Sequence, residues 1–255
     1  MSDWNPSQYL RFAAERRAPF DDLAALVSPS TGGRAIDLGC GTGELTRELH
    51  ERLGARATLG LDGSPAMLEE AAKHAGSGLT FELGDIADAG QRGAFDVVFS
   101  NAALQWLPDL VEATRAAAAL VGPGGQLAVQ VPQNFDHASH LVAAEVAAEA
   151  PFAARLAGYA RRTALTPPEV IASLLFELGF TKQRVRVEVY AHVLTESREV
   201  VEWVKGTLLT DYEKRLDAPT YAAFLARYEA RLLERIGARA PYLYPFKRLL
   251  FWARR

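Results

Sequence analysis

Hydrophobic and polar positions follow two rhythms over roughly the first 130 residues: short aliphatic or β-branched runs alternate with longer stretches of helical spacing. Arg34-Ala35-Ile36-Asp37-Leu38 reads as a first strand that runs into a glycine-rich turn. Glu44 to Leu53 then places Leu45, Leu49 and Leu53 on one helical face. Thr58 to Leu61, Leu79 to Leu83 and Phe95 to Phe99 read as further strands, the last nearly continuous in apolar residues, as a strand covered on both faces should be. Between them Ser64-Pro65 opens a helix, with serine as N-cap and proline at the first helical position. Leu110 to Leu120 is an alanine-rich helix that Gly122-Pro123-Gly124-Gly125 should stop, and Gln126 to Val131 is a fifth strand. Strands alternating with helices in this way specify a parallel α/β sheet.

The rhythm changes beyond that strand. Ala138 to Ala150 and Pro167 to Leu178 read as helices, Arg184 to Leu194 as one long alternating strand, Glu196 to about Ile236 as helical, and Lys247 to Ala253 as a closing strand. The expected organisation is a single domain: an N-terminal helical lid over 1–28, a sheet core over 30–194 and 246–255, and a helical insertion over 195–245 that caps the substrate. No internal repeat or low-complexity linker interrupts it.

Composition narrows the class. Over 255 residues, 28 basic and 31 acidic side chains give a net charge of −3, against the basic surplus of a dedicated nucleic-acid binder. One cysteine, Cys40, leaves no internal disulfide and no cysteine-rich zinc site. No apolar run approaches the roughly 20 residues of a membrane span, and Met1 to Pro6 show neither a basic nor an apolar leader region. The expectation is a cytoplasmic protein without metal, membrane, nucleic-acid or obligate protein partner.

The candidate chemistry lies at the carboxyl ends of the first four strands, where open α/β sheets bind ligands. Asp37-Leu38-Gly39-Cys40-Gly41-Thr42-Gly43 occupies the first strand-to-helix turn, so backbone can approach a ligand closely beside a helix N-terminus. A plain tight turn is the alternative; the nicotinamide pattern G-x-G-x-x-G is not met, because the third glycine comes one residue early. Asp62 ends the second strand, where a nucleotide fold places the acceptor for both ribose hydroxyls; a helix cap is the other reading.

The glycine loop resembles the D-x-G-x-G-x-G loop of class I S-adenosylmethionine-dependent methyltransferases. That resemblance implies an α/β, Rossmann-like sheet of seven strands, mostly parallel with the last antiparallel, carrying a helical cap insertion. It implies S-adenosyl-L-methionine as cofactor, held by Asp37, Gly39, Gly41, Gly43, Asp62, Asp85, Ile86 and Asn101. Asp85 would accept from the adenine amino group and the Ile86 N–H would meet a ring nitrogen, although Asp85 also reads as a surface turn residue. Ser100 to Trp106 would lie beside the transferred methyl, with Gln105 and Trp106 as catalytic-site residues; Trp106 also reads as a core aromatic. Asn101-Ala102-Ala103-Leu104 departs from the Asn/Asp-Pro-Pro-aromatic run of enzymes that methylate base amino groups, and Cys40 sits inside the cofactor loop, so nucleic acid is not the expected substrate.

A finer resemblance is to trans-aconitate 2-methyltransferases. It is carried by Asp3-Trp4-Asn5-Pro6, Tyr9, Phe12 and Ala13-Ala14-Glu15-Arg16, by Asn101-Ala102 with Leu104 to Asp109, by Gln130-Val131-Pro132 with Asn134, by Tyr190 and His192, and by Ala253-Arg254-Arg255. It is dense over the first 135 residues and sparse from Ala138 to Pro245. It implies a small polycarboxylate substrate whose reacting oxygen is already anionic near neutral pH. Such a nucleophile needs alignment and dryness rather than a base, and its other carboxylates need cationic or hydroxyl donors. Arg16, Tyr9 and His192 are the leading candidates, ahead of Arg11, Arg17, Lys205, Tyr242, Tyr244, Lys247 and Arg248. Two alternatives stay open: the same fold acting on another small-molecule or carrier-bound carboxylate, and a non-catalytic cofactor-binding regulator.

Overall fold

The computed structural model describes residues 13–161 and 163–255, with side chains from Arg17 onward. Strands β1 (Arg34–Leu38), β2 (Ala57–Asp62), β3 (Leu79–Leu83), β4 (Phe95–Asn101), β5 (Val121–Pro132), β6 (Lys182–Leu194) and β7 (Tyr242–Arg254) form one sheet in the order β3-β2-β1-β4-β5-β7-β6. β1 to β5 pair in parallel, while β7 runs antiparallel to both β5 and β6. The seven-stranded sheet with its antiparallel last strand is the one expected from the sequence.

Helices α1 (Ala13–Ala24) and α2 (Glu44–Leu53) cover one face, burying Phe20, Leu23, Leu49 and Leu53 against Val97, Phe99, Ala128 and Leu250. After α3 (Pro65–Ala71), α4 (Leu110–Ala119) and α7 (Pro168–Glu177) cover the opposite face, with Ala113, Ala117, Ile171 and Leu175 against Ile36, Val98 and Leu127. Ser64 caps α3 as its sequence requires, its hydroxyl accepting from the Met67 N–H at 3.4 Å.

A further apolar cluster forms the cap. It takes Val142, Val146 and Phe152 from α5 (Ala138–Ala147) and α6 (Phe152–Arg155), and Val200, Val204, Tyr212, Phe224 and Tyr228 from α8 (Glu199–Lys205), α9 (Thr210–Glu213) and α10 (Ala218–Ile236). Its floor is Leu194, Tyr242, Tyr244 and Phe246, at the end of the β6–β7 hairpin that joins the insertion to the sheet. The segment after β5, which the sequence pattern gave to the sheet core, therefore shares its apolar side chains with the insertion.

Two strands start five residues earlier than the sequence pattern predicts, at Val121 rather than Gln126 and at Tyr242 rather than Lys247, while the other strand boundaries shift by one or two residues at most. β5 begins at Val121 and contains the glycine-proline run: β4 advances from Phe95 to Val97 while β5 advances from Val121 to Gln126. The helix does stop before the run, at Ala119, as expected; the run itself makes a bulge within β5, because Val121 already pairs with Phe95. β7 begins at Tyr242 rather than Lys247. Pro245 lacks an N–H yet pairs with Ala191 of β6; the pairing of β7 with β5 reaches only as far as Arg248, so β7 has an unpaired side there on which a missing donor is tolerated.

Candidate active site

Four turns meet along the carboxyl edge of β1 to β4. Asp37 is buried beneath the first; its Oδ2 accepts from Thr46 Oγ1 of α2 at 2.6 Å, which ties strand to helix. Its Oδ1 is buried without a hydrogen-bond partner among the described residues. Burial, aided by the negative Asp62, pushes this carboxyl up to about 7. The glycines of the loop play different parts. At Gly39 (φ +82°) an added Cβ would stand 2.1 Å from the Cβ of Ala103, so this glycine lets the turn after β4 pack on the loop. Gly43, which begins α2 with no side-chain cap, has Ala71 and Phe81 in the place of its Cβ. Only Gly41 (φ +56°) faces open space, with nothing within 4 Å of where a Cβ would be.

Asp62 holds that open turn in place. Its Oδ2 accepts the Gly41 N–H and its Oδ1 the Ser64 N–H, both at 2.9 Å. A carboxylate accepts about four hydrogen bonds, so acceptor capacity remains for a pair of hydroxyls. Asp85 is exposed and caps the 3-10 turn Ile86–Arg92, accepting the Ala87 N–H at 2.9 Å. Ile86 is half-buried beside Gly39. Leu83, at the end of β3, keeps 59% of its surface in solvent, an apolar face that the sequence pattern had taken simply for strand.

The turn after β4 is tightly built. Ser100 Oγ donates to the Leu38 carbonyl at 2.8 Å, locking β4 to β1 just below the loop. Ala102 takes φ +56°, a conformation that costs a residue with a Cβ about 1 kcal/mol or more, and Gln105 Nε2 braces it by donating to its carbonyl at 2.6 Å. Asn101 Oδ1 and Gln105 Oε1 are buried acceptors without partners among the described residues. The Cys40 thiol is buried beneath the loop, and burial together with Asp37 and Asp62 pushes its pKa far up, so it is no nucleophile.

Trp106 is not a core aromatic: 44% of it is exposed, and the Arg161 guanidinium lies over its ring at 5.3 Å. Arg161 was not singled out by the sequence. Its Nη1 donates to Asp211 at 3.0 Å and its backbone N–H to the Tyr212 hydroxyl at 3.0 Å, so it joins the turn after β4 to the cap. His140 also feels it; burial, His137 and Arg161 lower His140 to about 4.

His192 is buried among Trp203 (4.8 Å), Phe246 (6.0 Å) and Tyr190 (6.4 Å). Burial and the nearby Arg248 lower it to about 4, so at neutral pH it offers a neutral imidazole rather than a cation. Tyr190 turns its hydroxyl to Asp22 of α1 at 2.7 Å. Arg17 is exposed and paired with Glu48 and Asp21. Tyr9 lies outside the described residues, as does the side chain of Arg16.

Bound S-adenosylmethionine asks this edge for open space against backbone, an acceptor pair for the ribose, and acceptors for an ammonium. Gly41, Asp62, and the partnerless oxygens of Asp37 and Asn101 meet those requirements in turn. Fold and site thus define a class I S-adenosylmethionine-dependent methyltransferase. Residues 29–184 match the model of a methyltransferase domain. A trans-aconitate 2-methyltransferase of Methylobacterium nodulans is 43% identical over 258 residues, covering 100% of this chain and 99% of the relative. One from Deinococcus radiodurans is 41% identical, covering 99% and 98%. A solved S-adenosylmethionine-dependent methyltransferase from Mesorhizobium loti superposes with a TM-score of 0.51 at 23% identity, covering 93% of this chain and 98% of its own, a likeness of fold. The chain belongs to the trans-aconitate 2-methyltransferase family.

Proposed function

We propose that this enzyme forms a monomethyl ester on a carboxylate of trans-aconitate or a closely related small polycarboxylate. The observation that carries the reading is full-length identity at 43% to an enzyme of that name, on a chain whose cofactor edge is intact. Bound S-adenosylmethionine supplies an electrophilic methyl group. The chain's task is to hold it and to present the acid. Asp62 accepts from the ribose, Asp37 and Asn101 from the ammonium, and Asp85, Ile86 and Leu83 meet the adenine. Gly39 and Gly43 serve by letting the loop close, and Gly41 by leaving room.

The reacting carboxylate is anionic and needs no proton removed, which agrees with a site whose histidines are held neutral. Alignment and exclusion of water remain to be supplied. Gln105 and Trp106 line the methyl end, and Arg161 draws the cap onto them. Arg16 and Tyr9 supply donors to the remaining carboxylates from the N-terminal segment, and His192 one neutral N–H. The reaction belongs to the cytoplasm, where small polycarboxylates are free in solution and the Cys40 thiol stays reduced.

The test is turnover by mass spectrometry with S-adenosylmethionine, across trans-aconitate, related di- and monocarboxylates, and carrier-bound acids. Highest kcat/KM for trans-aconitate is expected, and Arg16→Ala should lower it about ten- to a hundredfold with unchanged cofactor affinity. A preference for a monocarboxylate or a carrier-bound acid overturns the substrate; cofactor binding without any product overturns the enzyme.

A further inference from the structure

The sheet ends on β6, and among the described residues no strand lies on its outer side. Proteins protect such edges by keeping them short, by bulges or by prolines. β6 uses none of these: it pairs with β7 without a register shift from Lys182 to Leu194, and it contains neither proline nor glycine. The backbone groups on its outer side therefore form a long, regular row with no strand to pair with.

The two faces of β6 differ. Arg184, Arg186, Glu188, Tyr190 and His192 fall on the face that meets α1, where Tyr190 reaches Asp22. Val185, Val187, Val189 and Val193 fall on the other. Val185 shares a cluster with Ile171 and Leu175 of α7. Val187, Val189 and Val193 instead keep 39%, 55% and 71% of their surface in solvent, and Leu243, opposite Val193, keeps 56%. Single apolar residues on a surface are ordinary, but a row of them beside an open edge suits another strand.

The charges say which strand. Charges that guard an edge carry one sign and repel a copy of themselves. On β6, Arg186 Nε lies 3.6 Å from Glu188 Oε2 of the same strand. Turned antiparallel about Val187, a second β6 sets its Glu188 opposite Arg186 and its Arg186 opposite Glu188. The same register sets Val187 opposite itself, Val185 opposite Val189, Arg184 opposite Tyr190, and Lys182 opposite His192, a neutral imidazole near pH 7. Turning about Arg186 or Glu188 sets that residue against its own charge, and turning about Val185 sets Arg184 against Arg186. We propose that β6 is a homodimer interface, in which two copies of this chain pair their edge strands antiparallel about Val187 and join their sheets into one.

Sedimentation should show the wild type self-associating into a dimer. Arg186→Glu and Glu188→Arg each set like charges across the axis and should weaken self-association about a hundredfold or more. The double exchange restores the match and should return the wild-type constant. Neither residue lies on the cofactor edge, so unchanged S-adenosylmethionine affinity shows that each variant is folded. Cysteines read the register. At Val187→Cys the two Cα atoms should stand about 4.5–5.5 Å apart, within disulfide reach, and mild oxidation should give a covalent dimer. Val193→Cys is the more exposed position, yet in this register it meets Thr181 rather than itself and should stay single. Cys40 is buried and does not compete. A wild type that stays monomeric up to millimolar concentration overturns the second copy as occupant of this edge, whatever other strand it accepts. A dimer that survives both single reversals, or that crosslinks through Val193→Cys as readily as through Val187→Cys, overturns this interface.

Discussion

Gly39 and Gly41 stand two positions apart in one loop and have opposite reasons to be glycine. A methyl at Gly39 collides with Ala103 at 2.1 Å, whereas one at Gly41 meets only open space. Gly39→Ala should therefore lower stability by about 1–3 kcal/mol through overpacking, in addition to the cost of its positive φ. Gly41→Ala should cost only about 1 kcal/mol for its backbone while weakening cofactor binding. Thermal melts and cofactor calorimetry check both; a stable Gly39→Ala, or a Gly41→Ala with wild-type affinity, overturns the division of labour. Asp37 adds a pH signature. Its carboxyl is raised from 3.8 to about 7 in the folded chain. Between those values the folded state binds a proton that the unfolded state lacks, so this group's contribution to stability falls as pH rises through the window. The cofactor-free protein should lose melting temperature from pH 5 to 7 more steeply than Asp37→Asn does. Parallel profiles would place the proton elsewhere.

At the scale of elements, α1 and the β6–β7 hairpin carry the site to the cap. Phe20 and Leu23 bury α1 against the sheet, and Tyr190 fastens it through Asp22. Removing residues 1–17 leaves Phe20, Leu23 and Asp22 in place and takes Tyr9 and Arg16 away. The shortened protein should fold, bind cofactor, and retain under about a tenth of wild-type kcat/KM, the loss expected for at least one charge-assisted contact. Full activity would show that the N-terminal segment holds no substrate. The local pattern was legible where periodicity and capping were strong, as at β1, α2 and the Ser64–Pro65 start of α3. It missed that β5 begins at Val121, ahead of the glycine run, and that β7 begins at Tyr242, where pairing with Phe95 and with β6 carries the strands through glycines and a proline.

Across the whole molecule, the cap has its own apolar core, separate from those on the two faces of the sheet, and the cofactor edge belongs to the sheet. Cofactor at a hundredfold excess over its Kd should stabilise the fold by about 2.7 kcal/mol. Hydrogen exchange should slow in the turns after β1, β2 and β4, while amides of α5 and α10 change little until substrate is added as well. Equal slowing throughout both regions on cofactor alone would show that cap and sheet open as one unit.

The sequence by itself determined the sheet and the cofactor edge, because strand periodicity, the glycine loop and Asp62 are short-range signals that a sheet of this order must place along one line. The polar groups beyond that edge are another matter. Arg161 read in the sequence as an ordinary polar residue, Arg248 as one donor in a long list of candidates, and Gln130 only as part of a family-like strand. The burial of Gln130 and Arg248 and the stacking of Arg161 on Trp106 come from contacts between distant segments, such as Gln130 with Arg248, more than 100 residues apart. Only the closed sheet and its cap decided which of the many basic side chains lie in water and which were carried inside.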